Sequence, residues 1–159
     1  MNFDELYKTY RDKVYRLCMG YVNDADEAED LVQETFIMVW KGLPGFKQKS
    51  SPGTWIFRIA TNNCLRYFSK KKKMPESEIL NREINENEKE ENERKVELLY
   101  KFISEFEETD RLLISLELEG VKQTDIAGII GISEGNVRVR LFRIRQLLNK
   151  KFKDYGYGN

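Results

Sequence analysis

The stretch KQTDIAGIIGISEGNVRVRLFRIRQLL, residues 122–148, decides how the C-terminal part of the chain folds. Three residues separate Ala127 from Gly131, and five separate Gly131 from Val137. That spacing fits two short helices crossing steeply. The small alanine lets them approach, the glycine takes a positive-φ turn, and the valine plugs the angle between them. Ile126, Ile130, Ile132, Leu141, Ile144 and Leu148 complete a candidate core, and Ser133 stands where the second helix needs an N-cap. The outer side of that helix carries Glu134, Asn136, Arg138 and Arg140, with Arg143, Lys150 and Lys151 further along. A helix-turn-helix with a cationic face enters the major groove of DNA by the N-terminal end of its second helix. In that pose Asn136 suits adenine, Arg138 and Arg140 suit guanine, and Glu134 suits cytosine. Arg143, Lys150 and Lys151 are placed for phosphate, and Lys122 stands at the head of the motif.

Outward from this motif the charges are sorted along the chain. The 159 residues carry 27 Lys plus Arg and 27 Asp plus Glu, so the net charge is zero. Residues 35–75 hold nine bases and no acid, and residues 76–134 hold seventeen acids against seven bases. From residue 135 onward there are seven bases against Asp154 alone. Two cationic stretches flanking an anionic middle are the footprint of a chain that touches a polyanion twice. Solubility alone is served by mixed signs.

Composition excludes several classes. Hydrophobic residues make up 40% and charged residues 34%, which describes a helix-rich globular chain and not a disordered one. The longest apolar run, Phe36 to Trp40, is far too short to span a bilayer. The acidic N-terminus has no apolar h-region, so a cytoplasmic location is expected. There is no His, and the two cysteines, Cys18 and Cys64, sit within apolar helical patterns, which predicts buried, reduced thiols. No metal-ligand spacing, phosphate loop or nucleophile motif occurs, so neither a cofactor nor catalysis is expected.

Apolar residues from Phe3 to Tyr21 step by three and four and predict a first helix. Asn23 and Asp24 offer caps for a second, which runs through Leu31, Phe36 and Trp40 and ends at Gly42 and Pro44. A third opens with Ser51 as cap and Pro52 at its first position, and buries Trp55, Ile56, Ile59, Ala60 and Cys64. Two more helices, one through Val96 and Phe106 and one from a Thr109 or Asp110 cap to Gly120, lead into the motif. No strand pattern or repeat is present. Residues 76–93, rich in Glu and Asn, read as a linker. Fully extended it spans at most about 60 Å. That is about 17 base pairs, enough to hold two modules at separate sites on one duplex.

Each N-terminal helix carries its own chemistry. On the third, Arg58, Asn62, Arg66 and Lys70 follow one another every four residues and so share one side. Asn62 and Asn63 are poor helix formers in mid-helix and need another reason to be there. The adjacent loop, Lys47, Gln48, Lys49, Ser50 and Ser51, is basic and rich in hydrogen-bonding groups. Together these suit a melting DNA strand, with amides and hydroxyls on bases and lysines on phosphates. The second helix is the opposite. Asp24, Asp26, Glu27, Glu29, Asp30 and Glu34 would repel DNA and suit a basic protein partner, and residues 36–40 are apolar on more sides than a small core needs.

These residues resemble a known family. Asp26 through Phe36, followed by Trp40, is similar to region two of bacterial RNA polymerase sigma factors. Thr54 through Asn62 resembles the promoter-melting helix of that region, and Asp125 through Arg145 resembles region four. Regions two and four joined by a short linker are the pattern of the extracytoplasmic-function (ECF) subfamily, and the resemblance runs from residue 3 to residue 152. It implies an all-α chain of two small helical domains: region two over 1–75, the acidic linker over 76–93, region four over 94–152, and a tail over 153–159. It implies core RNA polymerase and promoter DNA as partners, with an anti-sigma protein as a further one. Asp26, Asp30, Leu31, Gln33, Glu34 and Phe36 would meet the clamp helices of the β′ subunit, and region four would touch the β flap. Lys47, Lys49, Ser50, Ser51, Arg58, Asn62, Asn63, Arg66 and Lys70 would hold the −10 element. Lys122, Ser133, Glu134, Asn136, Arg138, Arg140 and Arg143 would read the −35 element. Three departures stand out: Phe106-Glu107-Glu108 replaces the usual Leu-Pro, Asn136-Val137-Arg138-Val139-Arg140 replaces the usual Thr-Val-Lys-Ser-Arg, and the loop before Trp55 is brief. The alternative is a stand-alone dimeric helix-turn-helix regulator, which accounts for the C-terminal third of the chain only.

Overall fold

The computed structural model describes residues 2–72 and 90–158. Within them lie seven α-helices and no strand: α1 (Phe3–Val22), α2 (Ala25–Gly42), α3 (Pro52–Lys72), α4 (Glu91–Ser104), α5 (Glu108–Leu118), α6 (Gln123–Ile130) and α7 (Glu134–Asp154). Local signals place the boundaries. Asn23, in the left-handed region at φ 50°, closes α1, and the Asp24 carboxylate caps α2 by accepting from the Glu27 amide at 3.0 Å. A 3₁₀ turn, Leu43–Gly45, follows α2 at Pro44. Ser51 Oγ accepts from the Thr54 amide at 3.1 Å and starts α3 at Pro52. Gly131, at φ 86°, ends α6, and Ser133 Oγ caps α7 by accepting from the Asn136 amide at 3.1 Å.

Two boundaries differ from the sequence expectation. Helix α5 begins at Glu108 with Glu107 as its cap residue, so neither Thr109 nor Asp110 caps it. Asp110 is instead turned toward Arg140 at 2.9 Å. Helix α4 opens at Glu91, inside the stretch expected as linker. Residues 76–89 of that stretch, with Lys73 and Pro75, lie outside the described residues.

Helices α1, α2 and α3 pack through Val14, Leu17, Leu31, Phe36, Ile56 and Ala60, and α4 to α7 pack through Phe102, Ile103, Leu113, Ile126, Leu141 and Ile144. Each fully buried Leu, Ile or Val in such a core contributes about 1.5–3 kcal/mol. The two groups share one continuous core, because α5 lies along α1 and α6 meets α3. Close approach is possible because α1 has Gly20 there: a Cβ at that position would stand 2.1 Å from Ser115 Oγ of α5.

Candidate promoter and polymerase interfaces

The helix α2 sorts its acids into two sets. Glu29 is gripped by the Arg11 guanidinium of α1 at 2.8 and 2.9 Å, and Glu27 by Lys71 of α3 at 3.2 Å. These two brace the three-helix module. Asp26, Asp30, Gln33 and Glu34 are exposed, and the three carboxylates make no ion pair with any described residue. Ile37 and Trp40, 53% and 63% exposed, continue the same face. At 100° per residue, Asp26, Asp30, Gln33, Ile37 and Trp40 form one line. Leu31 and Phe36, by contrast, are core residues, because their positions fall on the inward side of α2. They hold the face up without being on it.

The side of α3 expected to be cationic is open: Arg58, Asn62, Arg66 and Lys70 are all exposed. Lys47 and Lys49 are exposed in the loop before it, Ser50 is half-buried, and a shallow depression is lined by residues from Gln48 to Pro52. The Ser51 hydroxyl is committed to its capping bond and to Thr54.

Asn63 departs from its expected place on that surface. It is 3% exposed, and its amide Nδ2 donates to Thr35 Oγ1 of α2 at 3.2 Å, while Thr35 donates to the Leu31 carbonyl at 2.7 Å. Asn63 Oδ1 accepts from Arg66, whose guanidinium also approaches Met38 Sδ at 3.3 Å. A buried amide satisfied on both ends is a structural brace. Asn63 therefore fixes α2 against α3 and aims Arg66, and its amide is turned inward and not onto the expected surface.

On the second module, Lys122, Ser133, Glu134, Asn136, Arg138 and Arg143 are exposed, and the oxygen of Ser133 is engaged as the α7 cap. Arg140 is drawn back. Its guanidinium meets Asp110 at 2.9 Å and also pairs with Glu107, so it joins α7 to the start of α5 instead of projecting outward. Lys151 likewise pairs with Glu105 and lies over the Phe102 ring. Both pairings have one cause: the acids around the junction of α4 and α5 reach the flanks of α7.

Sequence reasoning gave no sign of the join between the modules. Arg111 of α5 donates to the Tyr21 carbonyl, and Arg16 of α1 is held by both oxygens of Glu119 at 2.8 and 3.0 Å. Cys18 and Cys64 are fully buried free thiols. The hydrogen bond between the protonated Cys18 thiol and Cys64, and then burial, push the Cys18 thiol well up, so it stays protonated and unreactive.

A three-helix module with separate acidic and basic faces, followed by a helix-turn-helix module, defines the two-region sigma architecture. Residues 6–74 match the family model for Sigma-70 region 2, and residues 97–148 match that for Sigma-70, region 4. The chain is 31% identical to the ECF RNA polymerase sigma-E factor of Haemophilus influenzae, over 95% of this chain and 87% of that protein. It is 32% identical to the sigma-E factor of Escherichia coli K12, over 94% and 85%, and 29% identical to the RNA polymerase sigma-H factor of Pseudomonas aeruginosa, over 93% and 84%. The fold matches that of RpoE from Bartonella quintana, solved in complex with the anti-sigma factor NepR, with a TM-score of 0.75 at 20% identity over 95% of this chain and 96% of that one. It also matches CnrH, solved in complex with the cytosolic domain of CnrY, with a TM-score of 0.72 at 18% identity over 98% and 89%. The chain belongs to the ECF family of RNA polymerase sigma factors. It directs core RNA polymerase to promoters, and core enzyme and promoter DNA are its partners. Among the described residues no helix is long and apolar enough to cross a membrane.

Proposed function

We propose that the open face of α2 docks this chain on the clamp helices of the polymerase β′ subunit, through Asp26, Asp30, Gln33 and Glu34 with Ile37 and Trp40. The observation that carries this reading is the division of α2: Glu27 and Glu29 are spent inside the module, while Asp26, Asp30 and Glu34 are left outside beside an exposed apolar ridge. The neighbouring face of α3, with Lys47 and Lys49, then takes the −10 element and holds its opened strand. Helix α7 takes the −35 element by its exposed first turns, and the second module touches the β flap. The boundaries that serve this division of labour are residues 1–75 and 94–152. Polymerase performs the phosphoryl transfer, and this chain supplies placement and strand opening without chemistry of its own, in the cytoplasm. An anti-sigma protein would restrain it by covering the α2 ridge. A stand-alone dimeric regulator is not favoured, because it leaves the first module without a role.

The test is co-purification with core enzyme followed by permanganate probing of promoter DNA. The wild-type chain is expected to bind core enzyme and expose −10 thymines. The pair Asp30→Lys and Glu34→Lys is expected to abolish both with unchanged circular dichroism. Normal binding by that variant rules out the α2 face.

A further inference from the structure

The outermost line of α7 is apolar where polar base readers are expected. Buried Val137, Leu141, Ile144 and Leu148 fix its inward side. At 100° per residue, Val139 and Phe142 fall on the side opposite. They are 54% and 60% exposed, and at a spacing of three they are neighbours on the helix surface. Arg138 and Arg143 flank them, exposed and without an ion pair among the described residues. Arg140 is withdrawn to Asp110.

An apolar pair bordered by free cations calls for a surface that is anionic overall yet carries local hydrocarbon. A major groove meets both demands, because each thymine places a C5-methyl group there between two rows of phosphate. We propose that Val139 and Phe142 are specificity-determining residues that read thymine methyl groups within the −35 element. This rests on the placement of α7 in that element. The serine usual at the position of Val139 would offer a hydroxyl for hydrogen bonding; the valine offers only two methyl groups. Recognition at the centre of the α7 footprint therefore follows the methyl group and not the Watson–Crick identity of the base. Cytosine is rejected there, and 5-methylcytosine is accepted in place of thymine.

The test uses holoenzyme assembled from core polymerase and the full chain. Duplexes are first selected from a library randomised at the −35 element. Each selected thymine is then replaced by uracil, which removes the methyl group and leaves pairing intact. The wild-type holoenzyme is expected to lose about fourfold in affinity at one or two thymines, the effect of one buried carbon each. Val139→Ser and Phe142→Ala, both surface changes with unaltered circular dichroism, are expected to bind the thymine and uracil duplexes alike. An absence of any uracil effect on the wild type, or an undiminished effect in both variants, overturns the proposal. So does loss of core-enzyme association by Phe142→Ala without methyl dependence, which would make the pair a protein contact. Failure of the library to yield any −35 preference overturns the placement of α7 itself, and is distinguishable because it appears before any uracil is introduced.

Discussion

Arg111 of α5 donates through Nη1 to the backbone carbonyl of Tyr21 at 2.9 Å and lies over the ring of the same residue, 5.0 Å from its centroid. Its guanidinium also sits 5.7 Å from the Phe68 centroid on α3. Tyr21 stands in the last turn of α1, where carbonyls lack intrahelical donors and a cation is favoured. One side chain of the second module thus satisfies the end of a helix in the first. Gly20 and Ser115, in contact beside it, leave no room for an intervening layer.

Replacing Arg111 with Ala is expected to lower stability by about 2 kcal/mol, the value of a charge-assisted hydrogen bond plus a cation–π contact. In a chain of this size that corresponds to a fall in Tm of roughly 4–8 °C. Dyes on α2 and α7 should also move apart in energy-transfer measurements. An unchanged Tm and an unchanged dye separation would mean that the clasp contributes nothing.

Asn63→Ala separates a brace from a contact. It leaves Thr35 without its amide partner and opens a small polar void, and is expected to cost about 1–3 kcal/mol in urea denaturation. Binding of single-stranded −10 DNA should fall only as far as Arg66 loses its aim. Full stability with a large loss of DNA affinity would return Asn63 to the nucleic-acid surface.

Arg140→Ala is expected to leave Asp110, itself only 23% exposed, short of its counter-charge. The cost is about 1 kcal/mol at this partly screened site, and −35 duplexes of every sequence should weaken alike. Arg138→Ala should weaken some −35 sequences more than others, by about 1–3 kcal/mol where a guanine is expected to meet it. A panel of duplexes measured with both variants distinguishes them; a changed base preference in Arg140→Ala would contradict the ion-pair role.

Stability should fall in alkali. Burial raises the phenols of Tyr21 and Tyr67 above their ordinary value, reinforced by Glu108 and Glu27 respectively. The folded chain therefore keeps protons that the unfolded chain releases, so stability that is full below the unfolded tyrosine value of about 10 is lost as pH climbs from there through the raised folded values. Tyr67→Phe should flatten the decline of the urea midpoint above about pH 10. An equally steep decline would show that Tyr67 does not contribute.

The features legible in the sequence are those that depend on near neighbours. Asn23 with Asp24, Ser51 with Pro52, and Gly131 with Ser133 each act within one helical turn, so the helices can be read from the residues beside them. Asn63 shows the limit of reading by residue type: it sits next to Asn62, yet one residue is a 100° rotation, and three residues after Ala60 places it on the buried stripe. That signal is present in the spacing and outweighs polarity. The same geometry marks Val139 and Phe142 as outermost. The withdrawal of Arg140 and the Arg111 clasp carry no such signal, since their partners lie 30 and 90 residues away and only the folded chain brings them together.

The most direct measurement is run-off transcription by core polymerase, with and without this chain, on a library of promoter fragments. Discrete start sites are expected only when the chain is present, and are expected to vanish when Asp30 and Glu34 are both changed to Lys. A transcript pattern indistinguishable from that of core enzyme alone would contradict the account.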